Sequence, residues 1–476
     1  MTDQRFEHDI QAALQEGAPM QSPNHLLHTF EFNARRTRRY PRWLALIKEP
    51  TMRTDNRLTA GSPTARVAAI LATTLMLAVA FVTAGVAGQR LLASDGEIIV
   101  AQDGSGTFET ITNAVAEAND GDTILVRPGT YTEAVEIDKD ITVRGDGDVA
   151  TIILTAPEDG PTFTTSTIYG DEPYALLLTD TAATITGLTV QGDGSAIIAS
   201  GGSPTIQGNV VDSVGLPFDG SSLSGTSVAV THGSTASVLD NEIRAGGEFS
   251  VFGEASPTIE GNRLVDGPHI YLREPGPDTV VRDNDISGTL SRAIGVSGPG
   301  TILIEDNRIS NPGPLGIRVG RNIGAEGFEP TVRNNTIEGA RTSGIAVTEG
   351  GAPQIVGNTL TGNGVGISWG GAAGTIEDNT LVDNSIGLSL RGDADLVSGN
   401  TISGGRGGIS VMSGSMALDG NEVTGAGERG FAIGGEASPV LTSNVSCENG
   451  ENLWVADGAA PEIDDSNEIC EDAASE

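Results

Sequence analysis

The chain has 476 residues, 63 acidic against 27 basic, and two cysteines. At 38% hydrophobic it is too apolar for a disordered acidic tail, and its 65 glycines lack the regular spacing of collagen. A net charge of −36 argues against nucleic acid as a partner, since phosphate binding needs a basic face, and 4% aromatics leave the core to Ile, Val and Leu.

Residues 1–66 carry ten Lys/Arg and seven Asp/Glu, with nine of the bases between Arg35 and Arg66. They contain no Cys, and His25 and His28 sit in a polar SPNHLLH stretch, so no zinc site is expected there. Val67 to Gly88 follows as 22 residues without a charge. At ~1.5 Å rise per residue, a helix of that length spans a ~30 Å hydrocarbon core. Bases before it and acids after it orient the N-terminus to the cytoplasm and the remainder outside. A cleaved signal peptide is the rival reading, because Gly85-Val86-Ala87 suits a peptidase. The leader is too long for an ordinary n-region, so a retained signal-anchor is expected. The division is then a cytoplasmic basic segment (1–66), a transmembrane segment (67–88), a linker (89–96), an ectodomain (97–470) and an acidic tail (471–476). Beyond the anchor stand 56 acids and 17 bases, a net charge of −39, in a compartment that permits disulfides.

The ectodomain opens with Phe108–Asn119, where Ile111, Ala114, Val115 and Ala118 follow the i, i+3, i+4, i+7 spacing of a short amphipathic cap helix. From about residue 180 the chain repeats. The fixed mark is an Asn, at Asn209, Asn241, Asn262, Asn284, Asn307, Asn335, Asn358, Asn379, Asn400, Asn421, Asn444 and Asn467. Most steps are 21–23 residues, with longer ones of 32 and 28. The frame around each Asn is close to T-[IV]-x-x-N-x-[IVL], and a second apolar pair such as Ile270/Leu272 or Ile317/Val319 follows nine to twelve residues later. Alternation of this kind is the strand signature. Several short strands in ~22 residues exclude helical repeats, whose units run to ~33 residues or more. Leucine-rich repeats need a denser Leu frame. What fits is an all-β parallel β-helix of ~21–23-residue coils stacked ~4.8 Å apart, right-handed by the crossover rule. One inward Asn per coil then forms an amide ladder. These residues resemble the right-handed parallel β-helix of the pectin-lyase-like superfamily, over roughly 97–470.

Charges share the register. Glu260, Arg282, Glu305 and Arg333 alternate in sign two residues before the Asn, and Glu242, Arg263, Asp285 and Arg308 do so one after it. The alternation reads as a surface ion-pair ladder that fixes register. Cys447 and Cys470 each lie three residues after a ladder Asn in adjacent coils, within the ~4.4–6.8 Å Cα range of a disulfide, so Cys447–Cys470 is expected to pin the last coil.

Residues 98–147, with Ala101-Gln102-Asp103-Gly104-Ser105-Gly106 and Pro128-Gly129-Thr130-Tyr131-Thr132-Glu133, resemble the first coils of pectin methylesterases. That family's chemistry requires two Asp, a Gln and a later Arg. In their places stand Gly194–Ala199, Val210-Val211-Asp212-Ser213 and Glu248-Phe249-Ser250-Val251-Phe252-Gly253, and no L-G-R-P-W segment exists. Esterase activity by that mechanism is therefore rejected. Copper-delivery β-helix proteins share the fold, but outside the membrane the soft donors beyond the paired cysteines are Met412, Met416, His232 and His269. No cofactor is required; calcium is the one left open by the external carboxylates, with Asp283 and Asp306 the pair to inspect against a plain solvated turn.

Between the inward residues of the second apolar pair the outward residue is small in most coils (Ser250, Gly295, Ala346, Ser368, Ser389, Ser410, Ala432). Tyr271 and Arg318 are the exceptions, with His269 and Arg273 flanking Tyr271. An aromatic face with guanidinium groups beside a Gly gap suits a sugar ring and its carboxylate or hydroxyls. An incidental strand whose arginines offset the acidic field is the plainer alternative. Inserted turns at 155–175, 213–236 and 320–331, bearing Phe163, Tyr169, Tyr174, Phe218 and Phe328, are expected to wall such a groove. The sequence thus points to a membrane-anchored, extracytoplasmic, non-catalytic polysaccharide-binding protein. A polysaccharide-degrading lyase or hydrolase, calcium-dependent in the lyase case, and a structural or adhesive stalk are the alternatives.

Overall fold

The computed structural model describes residues 96–472, apart from 167–169, 193, 214–225, 245–246, 299–300, 321–327, 349 and 372. The expected anchor at 67–88 lies outside the described residues. Among the described residues no helix is long and apolar enough to cross a membrane.

Most coils contribute one short strand to each of three sheets. Among the described residues the first sheet holds 16 strands, the second 15, and the third 15 counting one hairpin strand that pairs off its main path. The strand before the ladder Asn (for example Thr258–Glu260) joins the first sheet, the one after it (Arg263–Val265) the second, and the apolar pair (His269–Arg273) the third. Pairing between coils is parallel and in register, so like residues stack: Ile259 lies between Val238 and Val281, all three fully buried. An inward Ile, Val or Leu contributes about 1.5–3 kcal/mol by burial, which makes the repeated apolar positions the main stabilising term.

The corner between the first two sheets explains why the residue before each ladder Asn is Gly, Asp or Asn in most coils. That residue takes a left-handed backbone, as at Gly261 (φ 68°), Asp283 (φ 56°), Asp306 (φ 56°) and Asn334 (φ 56°), which those residue types tolerate best. Asp283 and Asp306 are thus exposed turn residues, the solvated alternative. Just inside the corner the Asn side chains form the ladder. Asn262 Nδ2 donates to Asn284 Oδ1 at 3.0 Å and to Val238 O at 2.8 Å, while Asn284 donates onward to Asn307 Oδ1 at 2.9 Å. The chain of amides runs from Asn209 to Asn467.

Both ends are closed. At the start, helix Ile111–Glu117 buries Ile111, Ala114 and Val115, and Thr110 caps it. The Glu133 carboxylate accepts from the N–H groups of Ile111 and Thr112 at 3.0 and 2.9 Å, and Lys139 Nζ donates to Val115 O, Ala116 O and Ala118 O at 2.8–2.9 Å. An acid at the N-terminus and a base at the C-terminus both complement the helix dipole. At the other end Cys447 and Cys470 form a disulfide with Cα atoms 5.0 Å apart. On the surface, Arg263–Glu242, Arg282–Glu260 and Arg333–Glu305 pair at 2.9, 2.7 and 2.7 Å. The first two, open to solvent, contribute only about 0.2–1 kcal/mol each, whereas Glu305 of the third is buried.

One expectation is corrected. Phe328 walls no groove: it is 2% exposed and packs in the main core. Tyr169 and Phe218 lie outside the described residues. Phe163 and Tyr174 do reach the outer face, on the hairpin Thr162–Ser166 with Gly170–Thr179.

Candidate functional site

Strand His269–Arg273 buries Ile270 and Leu272 inward, so period-2 alternation turns His269, Tyr271 and Arg273 to the outer face of the third sheet. Register then sets their neighbours. Glu248 pairs with His269, Ser250 with Tyr271, Tyr271 with Gly295, and Gly295 with Arg318. His269, Tyr271 and Arg273 therefore stand together, whereas the exposed Arg318 lies two coils on in the Tyr271 column, roughly 10 Å away.

The gap expected at Gly295 is filled. Arg292, from the start of strand Arg292–Ser297, folds its side chain across it; a Cβ at Gly295 would stand 2.3 Å from Arg292 Nε. Arg292 lies over the Tyr271 ring at 4.3 Å from its centroid, and Arg273 at 4.9 Å. Tyr271 is thus no open stacking platform. Its ring holds two guanidinium groups at the surface, and its hydroxyl sits 3.2 Å from Ser297 Oγ. The arrangement is a pair of planar cations stacked on one ring.

On the coils preceding His269 lie two carboxyl groups. Glu248, 6% exposed, hydrogen-bonds His269 Nε2 at 3.1 Å and accepts from Ser250 Oγ. Glu172, delivered by the hairpin strand, accepts from Ser195 Oγ and from Thr226 Oγ1, the latter at 3.2 Å. Burial pushes the Glu172 carboxyl above its ordinary range; the two hydroxyl bonds oppose this, and the charge of Glu248 adds to it. Sequence reasoning missed Glu172, Glu248 and Arg292. A signal existed for Glu248: it falls in the column of His269, where an acid opposite a histidine on the next coil is readable from the repeat alone.

Comparisons with known proteins agree on the fold. The profile of the right handed beta helix region matches residues 174–360, and the pectinesterase profile matches 97–180. Periplasmic alginate epimerase AlgG is 15% identical over 79% of this chain and 83% of its own, with a TM-score of 0.47. A GH87 alpha-1,3-glucanase catalytic domain in complex with tetrasaccharides is 14% identical over 79% and 69%, with a TM-score of 0.50. The Family 28 exopolygalacturonase of Yersinia enterocolitica is 10% identical over 79% and 80%, with a TM-score of 0.45. No curated protein sequence matches the chain. The chain has the right-handed parallel β-helix fold of the pectin-lyase-like superfamily.

A further match places residues 329–463 with periplasmic copper-binding protein (NosD). The donors of this β-helix do not fit copper. His232 bonds Ser200 Oγ at 3.1 Å, His269 is held by Glu248, Met416 is buried, and Met412 is exposed at the surface. The convergent donor group found among the described residues, Cys447, Glu468 and Cys470, has both sulfurs consumed by the disulfide.

Proposed function

We propose that this protein is a membrane-anchored, extracytoplasmic β-helix whose third-sheet face binds a uronic-acid-containing polysaccharide, with residues 67–88 as the anchor. The observation that carries the reading is the Tyr271 ring with Arg273 and Arg292 over it, beside the Glu248–His269 pair. Two guanidinium groups pre-oriented on a rigid sheet lose little freedom on binding a carboxylate. His269 and Arg318 offer further donors for sugar hydroxyls. The whole chain is strongly acidic, so the attraction is local and short-ranged. AlgG and the exopolygalacturonase are named for acting on such polymers, which accords with the reading but does not carry it.

The test is retention of polyuronates by the full chain. Arg292→Ala removes a charge-assisted contact of about 1.5–3 kcal/mol, which weakens binding roughly ten- to hundredfold. Tyr271→Ala releases both cations and weakens it further. Unchanged retention in both variants sinks the proposal.

A second reading, cleavage of the bound polymer, is favoured by one observation: the raised Glu172 carboxyl lies next to Glu248, a pairing of proton donor and acceptor in one site. New chain ends on incubation, lost in Glu172→Gln while retention persists, would make the protein an enzyme.

A further inference from the structure

The outward column of the third sheet changes character along the stack. Leu177, Ile198, Ala229 and Ser250 are at most 3% exposed although they point away from the core. From Tyr271 on, most of the column is accessible: Arg318 is exposed, and Ala346, Ser368, Ser389, Ser410 and Ala432 are half-buried.

Over Leu177, Ile198 and Ala229 the cover is the hairpin Thr162–Ser166 with Gly170–Thr179. Its Phe163 and Tyr174 pack with Leu177, Ile198, Ala229 and Phe252 in an apolar cluster separate from the main core. Thr231 Oγ1 donates to Thr165 O at 3.2 Å, and the Phe163 ring meets His232 edge-on at 6.0 Å. Glu172, on the same hairpin, is tied to Ser195 and Thr226 below it. This second core closes the face on the side of Tyr271 nearer the N-terminal coils. On the other side the face stays open. A groove of about 640 Å³ is lined by Ser368, Trp369, Arg391 and Asp393, and one of about 200 Å³ by Ser410, Ala432, Arg406 and Arg429.

We infer that the face reads polysaccharide chain ends: the terminal sugar sits at Tyr271 against the Glu172–Glu248 wall, and the rest of the chain runs over Ala346 toward Ala432. This rests on the reading of the Tyr271 face as a polyuronate site. An internal sugar unit has chain on both sides of it. At Tyr271 one of those directions is occupied by protein, so an internal unit cannot lie there with the polymer aligned along the stack. A terminal unit has one neighbour only, and the rise of ~4.8 Å per coil gives each further sugar roughly one coil to cross. Beyond Arg318 the small outward residues, from Ala346 to Ala432, keep that track low.

The experiment uses the full chain and two probes, sodium polygalacturonate and sodium alginate. Each is compared intact and after partial hydrolysis to about one tenth of its mean length, at equal mass. An end-reading face responds to the molar number of ends, so the shortened polymer reaches half-saturation at about tenfold lower mass, by mass action. Equal potency by mass, or weaker binding of the shortened polymer, overturns the inference and leaves the binding reading in place. No binding of either probe in either form removes the binding reading itself.

Discussion

Replacing one ladder amide in mid-stack tests whether the Asn column is a structural spine. Asn307, 1% exposed, accepts from Asn284 N at 3.1 Å and Asn284 Nδ2 at 2.9 Å, and donates to Asn335 Oδ1 and Val281 O, both at 2.9 Å. Asn307→Ala leaves the Asn284 N–H without its acceptor in a site water does not reach. An orphaned buried donor costs about 1–3 kcal/mol, and each other net bond lost about 1 kcal/mol. Asn284 Nδ2 still reaches Ile259 O, which limits the damage there. The sum is about 3–5 kcal/mol. Asn467 ends the same column half-exposed, so water can replace its lost contacts and Asn467→Ala should cost only about 1–2 kcal/mol. In a solenoid the mid-stack loss also separates two blocks of coils, whereas the terminal one frays a single coil. Urea unfolding of the two variants, followed by circular dichroism and intrinsic fluorescence, measures both. A loss below about 1 kcal/mol for Asn307→Ala, or equal losses for the two, would refute the reasoning.

Two further outcomes are expected. Removing the Cys447–Cys470 bridge by Cys470→Ser frees a loop of 23-residue separation, a chain-entropy term of about 3.4 kcal/mol at most. Because the bridge joins only the last coils, hydrogen exchange should quicken at Glu451–Val455 while strand Thr336–Glu338 keeps its protection. Glu172→Gln acts through pH. The folded carboxyl is raised, so its contribution to stability is fully present below the unfolded value near 4.5 and is lost as pH rises through the folded value. The wild-type melting temperature should fall across that window more steeply than that of the variant. Parallel curves would show that the group is not buried in solution.

The fold was legible because every coil repeats the same local statement. The Asn column, the apolar residues three before and two after it, and the later pair such as Ile270/Leu272 specify inward positions without reference to distant sequence. The same rule finds a second, shorter amide column. Asn363 and Asn384 lie five residues after the ladder residues Asn358 and Asn379, and they bond each other at 2.9 Å. The site was harder to see because its parts depart from the repeat in different coils. Glu172 meets Ser195 and Thr226 only because a hairpin folds back across the sheet, and that hairpin reads in sequence as an inserted turn. Phe328 reads the same way but turns inward. An aromatic in an insertion carries no periodic signal to say which face it will take.

The departures cluster, and that clustering is itself an argument. Stability in a stacked solenoid is close to a sum over coils and their interfaces, so a coil gains most by conforming to the register. From Ala346 to Ala432 the outward column of the third sheet conforms, with Ala and Ser. Around Tyr271 it does not. Within a few coils stand a carboxyl raised by burial, a nearly buried Glu248 held to His269, and an Arg292 whose Nε is buried with no hydrogen-bond partner among the described residues. Each costs stability relative to a small outward residue. None is needed to stack the coils, because Ile270, Leu272, Ile294 and Val296 already do so beneath them. Structural economy alone does not produce three such features on one face beside a hairpin that closes it. A ligand carrying an anionic group would complete the Arg292 guanidinium, whose Nε has no hydrogen-bond partner among the described residues, which is the argument for proposing the function at the Tyr271 end of this face rather than along the regular remainder of the stack.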